Sequence, residues 1–162
     1  AGNAAWMAME LVAPIATAAA ALRVRRLGEL TPASQLLLAL FLVHYANRAV
    51  VQPLRNPPRS PLNASVLISA VLFNAANGYL QGTWLAAHGG RPAAASWPAL
   101  LGLVLFFLGF AGNVWHDNVL IQLRRQKRPA TSQVRGLTSP YSIPHGGLFA
   151  LVSYPNYLCE CA

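Results

Sequence analysis

Charge is the scarcest ingredient of this 162-residue chain. Only 10% of it is charged, with four acids against twelve Lys and Arg, while 55% is apolar. A soluble globular domain carries about a quarter charged residues, so that class is excluded at the outset. Cysteine is nearly absent too: Cys159 and Cys161 flank Glu160 and would point to different faces of a helix. They make neither a disulfide framework nor a zinc site. The four histidines are scattered, with no carboxylate at ligand spacing, so no metal is expected. The chain has no Gly-x-Gly-x-x-Gly turn, no phosphate-binding loop and no nucleophile elbow, which excludes a nucleotide held in the Rossmann manner.

What the chain has instead is long uncharged runs. Pro61 to Gly90 and Pro98 to Trp115 contain no Asp, Glu, Lys or Arg. Mean hydropathy is +0.41, and the runs approach the roughly 20 residues that cross a hydrocarbon core. Read by length, five helical segments emerge near 4–22, 34–54, 64–88, 98–120 and 147–162. The expected fold class is all-α, a polytopic transmembrane helical bundle. A helix starts almost at residue 1 and another still runs at Ala162, so 1–162 reads as a single transmembrane domain, incomplete at both ends. No secretory signal peptide is visible.

The net charge of +8 follows membrane topology. Basic residues cluster between the runs, with no aromatic interleaving, so nucleic acid is not the expected partner; membrane lipids are. Arg55, Arg59, Arg124, Arg125, Lys127, Arg128 and Arg135 fall on one side, against Arg23, Arg25, Arg26 and Arg91 on the other. The richer side is expected in the cytosol. The sequon Asn63-Ala64-Ser65 lies on that side and should stay unglycosylated.

Against this apolar background the polar residues stand out. Glu10, Asp117 and Glu160 lie inside apolar segments, where an acid costs up to about 3 kcal/mol on insertion scales and usually faces the bundle interior. Helical spacing repeats the pattern. Tyr45 and Arg48 are i, i+3; Asn113 and Asp117 are i, i+4, with Arg124 seven further on; Asn156 and Glu160 are i, i+4. Asn74, Asn77 and Gln81 share another face, as pocket lining or as glue between helices. His44 and His116 read as satisfied helix-end histidines.

The segments AAWMAMELVAP, VHYANRAVVQPLRNPPR, NAANGYLQG, FFLGFAGNVWHDNVLIQLRRQ and YSIPHGGLFALVSYPNYLCE resemble, in this order, the steroid 5α-reductase family. The resemblance covers nearly the whole chain. It implies a seven-helix enzyme of the endoplasmic reticulum membrane, of which about five helices are present here. The implied activity is NADPH-dependent reduction of the carbon–carbon double bond of a 3-oxo-Δ4 steroid. Glu10 and Tyr45 fall on the positions that grip the substrate carbonyl. Asn113, Asp117 and Arg124 fall on cofactor-binding positions, as do Tyr141, Asn156 and Glu160, while Asn56 and Arg59 belong to the cofactor's cytosolic rim. A carboxyl group in an apolar site can stay protonated and donate to an oxyanion, which suits Glu10. Met9 and Ser69 depart from the steroid pattern and leave the substrate open. The alternatives are a trans-2-enoyl-CoA reductase of very-long-chain fatty-acid elongation and a non-catalytic membrane module or inactive fragment.

Overall fold

The computed structural model describes residues 2–88, 96–126 and 144–161. The described chain is all-α. Helix α1 is Gly2–Val24, α2 is Pro32–Tyr45, α3 is Gln52–Arg55, α4 is Ala64–His88, α5 is Trp97–Gln126 and α6 is Pro155–Glu160. Single 3₁₀ turns lie at Leu27–Glu29 and Gly147–Ala150. The residues group into two compact units, 1–96 and 97–162, and each is described by itself.

Among the described residues, three helical stretches are long and apolar enough to cross a membrane: Gly2–Val24, Pro32–Arg55 and Trp97–Arg125. Helix α4 has comparable length, but Asn74, Asn77 and Gln81 dilute its apolar run. Large apolar side chains point outward, among them Ile15, Leu72, Phe73 (69% exposed), Phe107 and Leu108. Among the described residues, half of the buried apolar side chains are alanines: Ala13, Ala20, Ala21, Ala49 and Ala86. A water-soluble fold would bury the larger set first. This is the distribution of a multi-pass membrane protein, whose solvent on the outside is lipid.

Local chemistry sets the helix starts. Thr31 accepts from the Ser34 amide at 3.2 Å, and Pro32 occupies the first turn of α2, where its missing N–H costs nothing. Ser34 Oγ then donates to the Leu85 carbonyl at 3.0 Å, tying α2 to α4. Asn63 Oδ1 accepts from both the amide and the hydroxyl of Ser65 at 3.0 Å. The asparagine of the sequon thus holds the start of α4.

Helices α1 and α4 approach so closely that no side chain fits between their backbones at two points. A Cβ on Gly78 would lie 2.6 Å from the Ala13 carbonyl oxygen and 2.8 Å from the Ala16 Cβ. One on Gly82 would meet the Thr17 carbonyl oxygen and stand 2.8 Å from the Ala20 Cβ. Gly78 and Gly82 are four apart, the small-xxx-small spacing that lets membrane helices touch. Asn74, one turn earlier on the same face, donates from Nδ2 to the Met9 carbonyl at 2.7 Å. Asn74 therefore joins helices, whereas Asn77 is half-buried and Gln81 exposed. Asn74→Leu is expected to lower stability by about 1 kcal/mol, read as a fall in Tm, because it removes one buried interhelical hydrogen bond.

Two boundaries differ from the periodicity reading. The stretch 34–54 is helical throughout but changes winding: Ala46–Val51 is π-helical, with the Gln52 amide bonded to the Asn47 carbonyl. The expected helix 147–162 is broken. Gly146 and Gly147 adopt φ of 92° and 55°, values open to glycine at little cost. Pro155, lacking an N–H, can only begin a helix there. The result is a 3₁₀ turn, an irregular link and the six residues of α6.

Candidate functional site

In the first unit the polar residues gather around the amino-terminal half of α1. Glu10 is 6% exposed, and its Oε2 accepts from Arg48 Nε at 3.2 Å. Pro14 lies inside α1 and has no N–H to offer the carbonyl four residues back, that of Glu10. The acid therefore sits on a weakened turn. Its partner Arg48 lies in the π-helical stretch, whose extra residue per turn re-aims the side chains that follow Tyr45. Such bulges recur at functional sites. Tyr45, at the last position of α2, is half-buried, its ring 4.7 Å from Phe41 and 5.3 Å from His44.

The loop after α3 is fastened to the same end of α1. Asn3 donates from Nδ2 to the Pro53 and Asn56 carbonyls at 3.0 and 3.2 Å, and its Oδ1 accepts from the Arg59 amide at 3.1 Å. Asn56, buried, closes α3 by donating to the Gln52 carbonyl at 2.9 Å. The Arg59 guanidinium lies 4.4 Å from the Trp6 ring centroid and donates to Gln52 Oε1 at 3.3 Å. Trp6 also has Arg48 6.0 Å from its ring centroid. Glu10, Asn56 and Arg59 thus come together in one region with Trp6 and Arg48, and Tyr45 stands three residues before Arg48.

In the second unit α5 packs on α6. Gly112 makes room for Cys159, whose Sγ would be 2.7 Å from a Cβ at that position. One residue further, Asn113 is 2% exposed. Its Nδ2 donates to the Asn156 carbonyl at 3.0 Å and to Glu160 Oε1 at 2.9 Å. Asn156 Nδ2 donates to Asp117 Oδ1 at 3.2 Å. Four residues singled out by spacing therefore form one hydrogen-bonded cluster. Arg124 is exposed in the last turn of α5, two turns beyond Asp117, and Tyr141 lies outside the described residues. Among those residues, no group of three or more His, Cys, Asp and Glu is placed to hold a metal.

The cluster is incomplete in one informative respect. Asn156 Oδ1 is buried and has no hydrogen-bond partner. Its orientation is settled by chemistry, since the neighbouring Asp117 oxygen must face the amide nitrogen. An orphaned buried acceptor costs about 1–3 kcal/mol, which a hydrogen-bond donor on a bound molecule would recover. The amide, amino and hydroxyl groups of a nicotinamide dinucleotide are donors of this kind, so the residues present fit such a cofactor.

Spacing alone misplaced or missed several residues. Arg48 was visible as a charge near a helix end, but nothing in the sequence paired it with Glu10, 38 positions away. Trp6, Asn3 and Gln52 gave no signal beyond their polarity or size. His116 is no helix-end histidine, because α5 runs on to Gln126. It is 3% exposed and accompanies the cluster from within the helix.

Comparison with known proteins identifies the relatives of the chain. The family described as 3-oxo-5-alpha-steroid 4-dehydrogenase matches residues 60–162. An uncharacterized protein of Schizosaccharomyces pombe is 41% identical, over 98% of this chain and 64% of its own length. Steroid 5-alpha-reductase DET2 of Solanum lycopersicum is 36% identical over 83% of this chain and 51% of its own length. In Mus musculus, 3-oxo-5-alpha-steroid 4-dehydrogenase 1 is 34% identical over 96% of this chain and 54% of its own length. The chain spans between half and two thirds of these relatives. With its all-α membrane architecture and the matched 60–162 region, the chain belongs to the 3-oxo-5-alpha-steroid 4-dehydrogenase family.

Proposed function

We propose that this chain is the greater part of an NADPH-dependent reductase of the endoplasmic reticulum membrane, acting on the conjugated double bond of a 3-oxo-Δ4 steroid. The observation that carries the reading is the ion pair of buried Glu10 with half-buried Arg48 on otherwise apolar helices, Arg48 standing three residues after Tyr45. Ionisable groups at such depth are costly and usually functional. The outward-facing apolar surface supports a hydrophobic substrate that arrives through lipid.

The cofactor, when bound, supplies the hydride for the β-carbon of the enone. Negative charge then develops on the carbonyl oxygen, and the protein's task is to stabilise it where water is excluded. The Tyr45 hydroxyl donates one hydrogen bond to that oxygen. Glu10 supplies the second contact through its carboxyl group, from Oε1, while the Arg48 Nε–H holds Oε2 and fixes the carboxyl plane. The arginine sharpens the sequence reading of a lone acid: Glu10 is positioned by a cation before it meets the substrate.

On the cofactor side, Asn113, Asp117, Asn156 and Glu160 bind and orient the dinucleotide. Arg124, with Arg59, Asn56 and Tyr141, serves the phosphates and the cytosolic rim. Asn113→Ala in the full-length protein is expected to weaken NADPH binding roughly tenfold, because it removes the amide that holds both Asn156 and Glu160. Isothermal titration calorimetry reads the change directly.

The test of substrate class is NADPH oxidation by the full-length protein in membranes. Turnover with a 3-oxo-Δ4 steroid and none with a trans-2-enoyl-CoA is the expected result. The reverse preference would assign the chain to fatty-acid elongation. A protein that neither binds nor oxidises NADPH would be a non-catalytic membrane module.

A further inference from the structure

We propose that His116 is an additional ligand-contacting residue of the α5–α6 cluster, presenting Nε2 as an acceptor to an N–H or O–H group of the nicotinamide cofactor. The proposal rests on the reductase reading above. It adds a residue to that site which the spacing argument had set aside.

The tautomer follows from the geometry. His116 Nδ1 lies 2.6 Å from the Gly112 carbonyl oxygen. A carbonyl can only accept, so Nδ1 carries the proton, and in the neutral ring Nε2 is then a bare lone pair. That atom is buried and has no hydrogen-bond partner. The ring has little freedom to turn toward one. It stands edge-on to Trp115, with centroids 4.6 Å apart, and meets Phe149 at 5.2 Å. The Cys159 thiol is on the wrong side to help, its Sγ being 4.0 Å from Nδ1.

A glycine stands beside the unsatisfied atom. A Cβ on Gly147 would lie 3.5 Å from His116 Nε2 and would collide with the Trp115 ring. Gly147 also adopts φ of +55°, so the absence of a side chain here serves both the turn and the approach to the nitrogen. Asn156 Oδ1 is a second buried acceptor without a partner on the same pair of helices. Two orphaned acceptors on one packed pair of helices suit a ligand that brings donors. A dinucleotide does so through its carboxamide, adenine amino and ribose hydroxyl groups.

The test is calorimetric titration of the full-length protein with NADPH, comparing wild type, His116→Phe and His116→Gln. Phenylalanine keeps the ring and removes the acceptor; the glutamine amide reaches the place of Nε2 and restores it. The Phe variant is expected to bind NADPH roughly five- to twentyfold more weakly, with the Gln variant within about threefold of wild type. Should the Phe protein fail to fold, His116→Leu makes the same comparison. Equal affinity of the acceptor-free variant and wild type overturns the proposal, as does an equal loss in the Phe and Gln variants, which would make His116 a packing residue. Wild-type protein that binds NADPH while His116→Phe is unaffected leaves the reductase reading standing without this contact. Wild-type protein that binds no NADPH overturns both.

Discussion

Glu10→Gln in the full-length protein is expected to lower steroid turnover by at least roughly a hundredfold. Loss of a single oxyanion donor or proton donor costs on the order of 10²–10³ in rate. The glutamine keeps the size of the side chain and can still accept from Arg48 Nε, which sits 3.2 Å from Oε2, but it puts an amide in place of the carboxyl that faces the substrate, a weaker donor that cannot pass on a proton. Tyr45→Phe, lacking the second donor, should lose a comparable factor. Arg48→Met tests the positioning role separately. It leaves the acid without its cation, with an expected stability loss of about 2 kcal/mol. That figure is below the 3–5 kcal/mol of a fully buried pair because the Arg48 side chain keeps 20% of its exposure. Steady-state rates with a 3-oxo-Δ4 steroid, beside a detergent-solubilised thermal melt, separate these effects. Wild-type turnover in both Glu10→Gln and Tyr45→Phe would remove the carbonyl roles from these residues.

The second large effect concerns no polar group. Gly82→Leu should disrupt the first unit, with a stability loss of about 3 kcal/mol or more. Even a Cβ at this position meets the Thr17 carbonyl oxygen and stands 2.8 Å from the Ala20 Cβ. The atom in the way is backbone, which cannot rotate aside, so α1 must move off α4 as a whole. Moving it breaks the 2.7 Å Asn74–Met9 hydrogen bond and shifts the adjacent Glu10. Stability and turnover should therefore fall together. Gly102 provides the control: it lies within α5 with nothing within 4 Å of a would-be Cβ. Gly102→Ala should leave Tm unchanged or raise it, since alanine is the better helix former by roughly 1 kcal/mol. A Gly82→Leu protein melting at the wild-type temperature would mean that the close α1–α4 contact is absent.

How much could be read without coordinates differs between the two polar clusters. The cluster between α5 and α6 was legible because its members repeat at helical spacing: Asn113 with Asp117, and Asn156 with Glu160. Residues four apart share a face whatever the helix packs against. What joined those two pairs, the Asn113 amide reaching Asn156 and Glu160, needed the packing of α5 on α6. In the first unit, Glu10 and Tyr45 were recognisable from their motifs. The link through Arg48 was not, because the π-helical stretch Ala46–Val51 shifts the side-chain phase that a 3.6-residue period assumes. Gly78 and Gly82 stood inside a quoted motif, yet their purpose was hidden, since the spacing of small residues names no partner helix.

The sequence by itself determined the class of this protein. Long uncharged runs can satisfy their backbone in lipid only as helices, and acids placed within such runs are too costly to be incidental. Tertiary structure decided which groups meet. It gave Glu10 a cationic partner and turned Asn74 into a bond between α1 and α4. The division has a physical cause. Periodicity and hydropathy are properties of a single helix, whereas an ion pair, an interhelical hydrogen bond or a buried orphaned nitrogen exists only once two elements have been brought together.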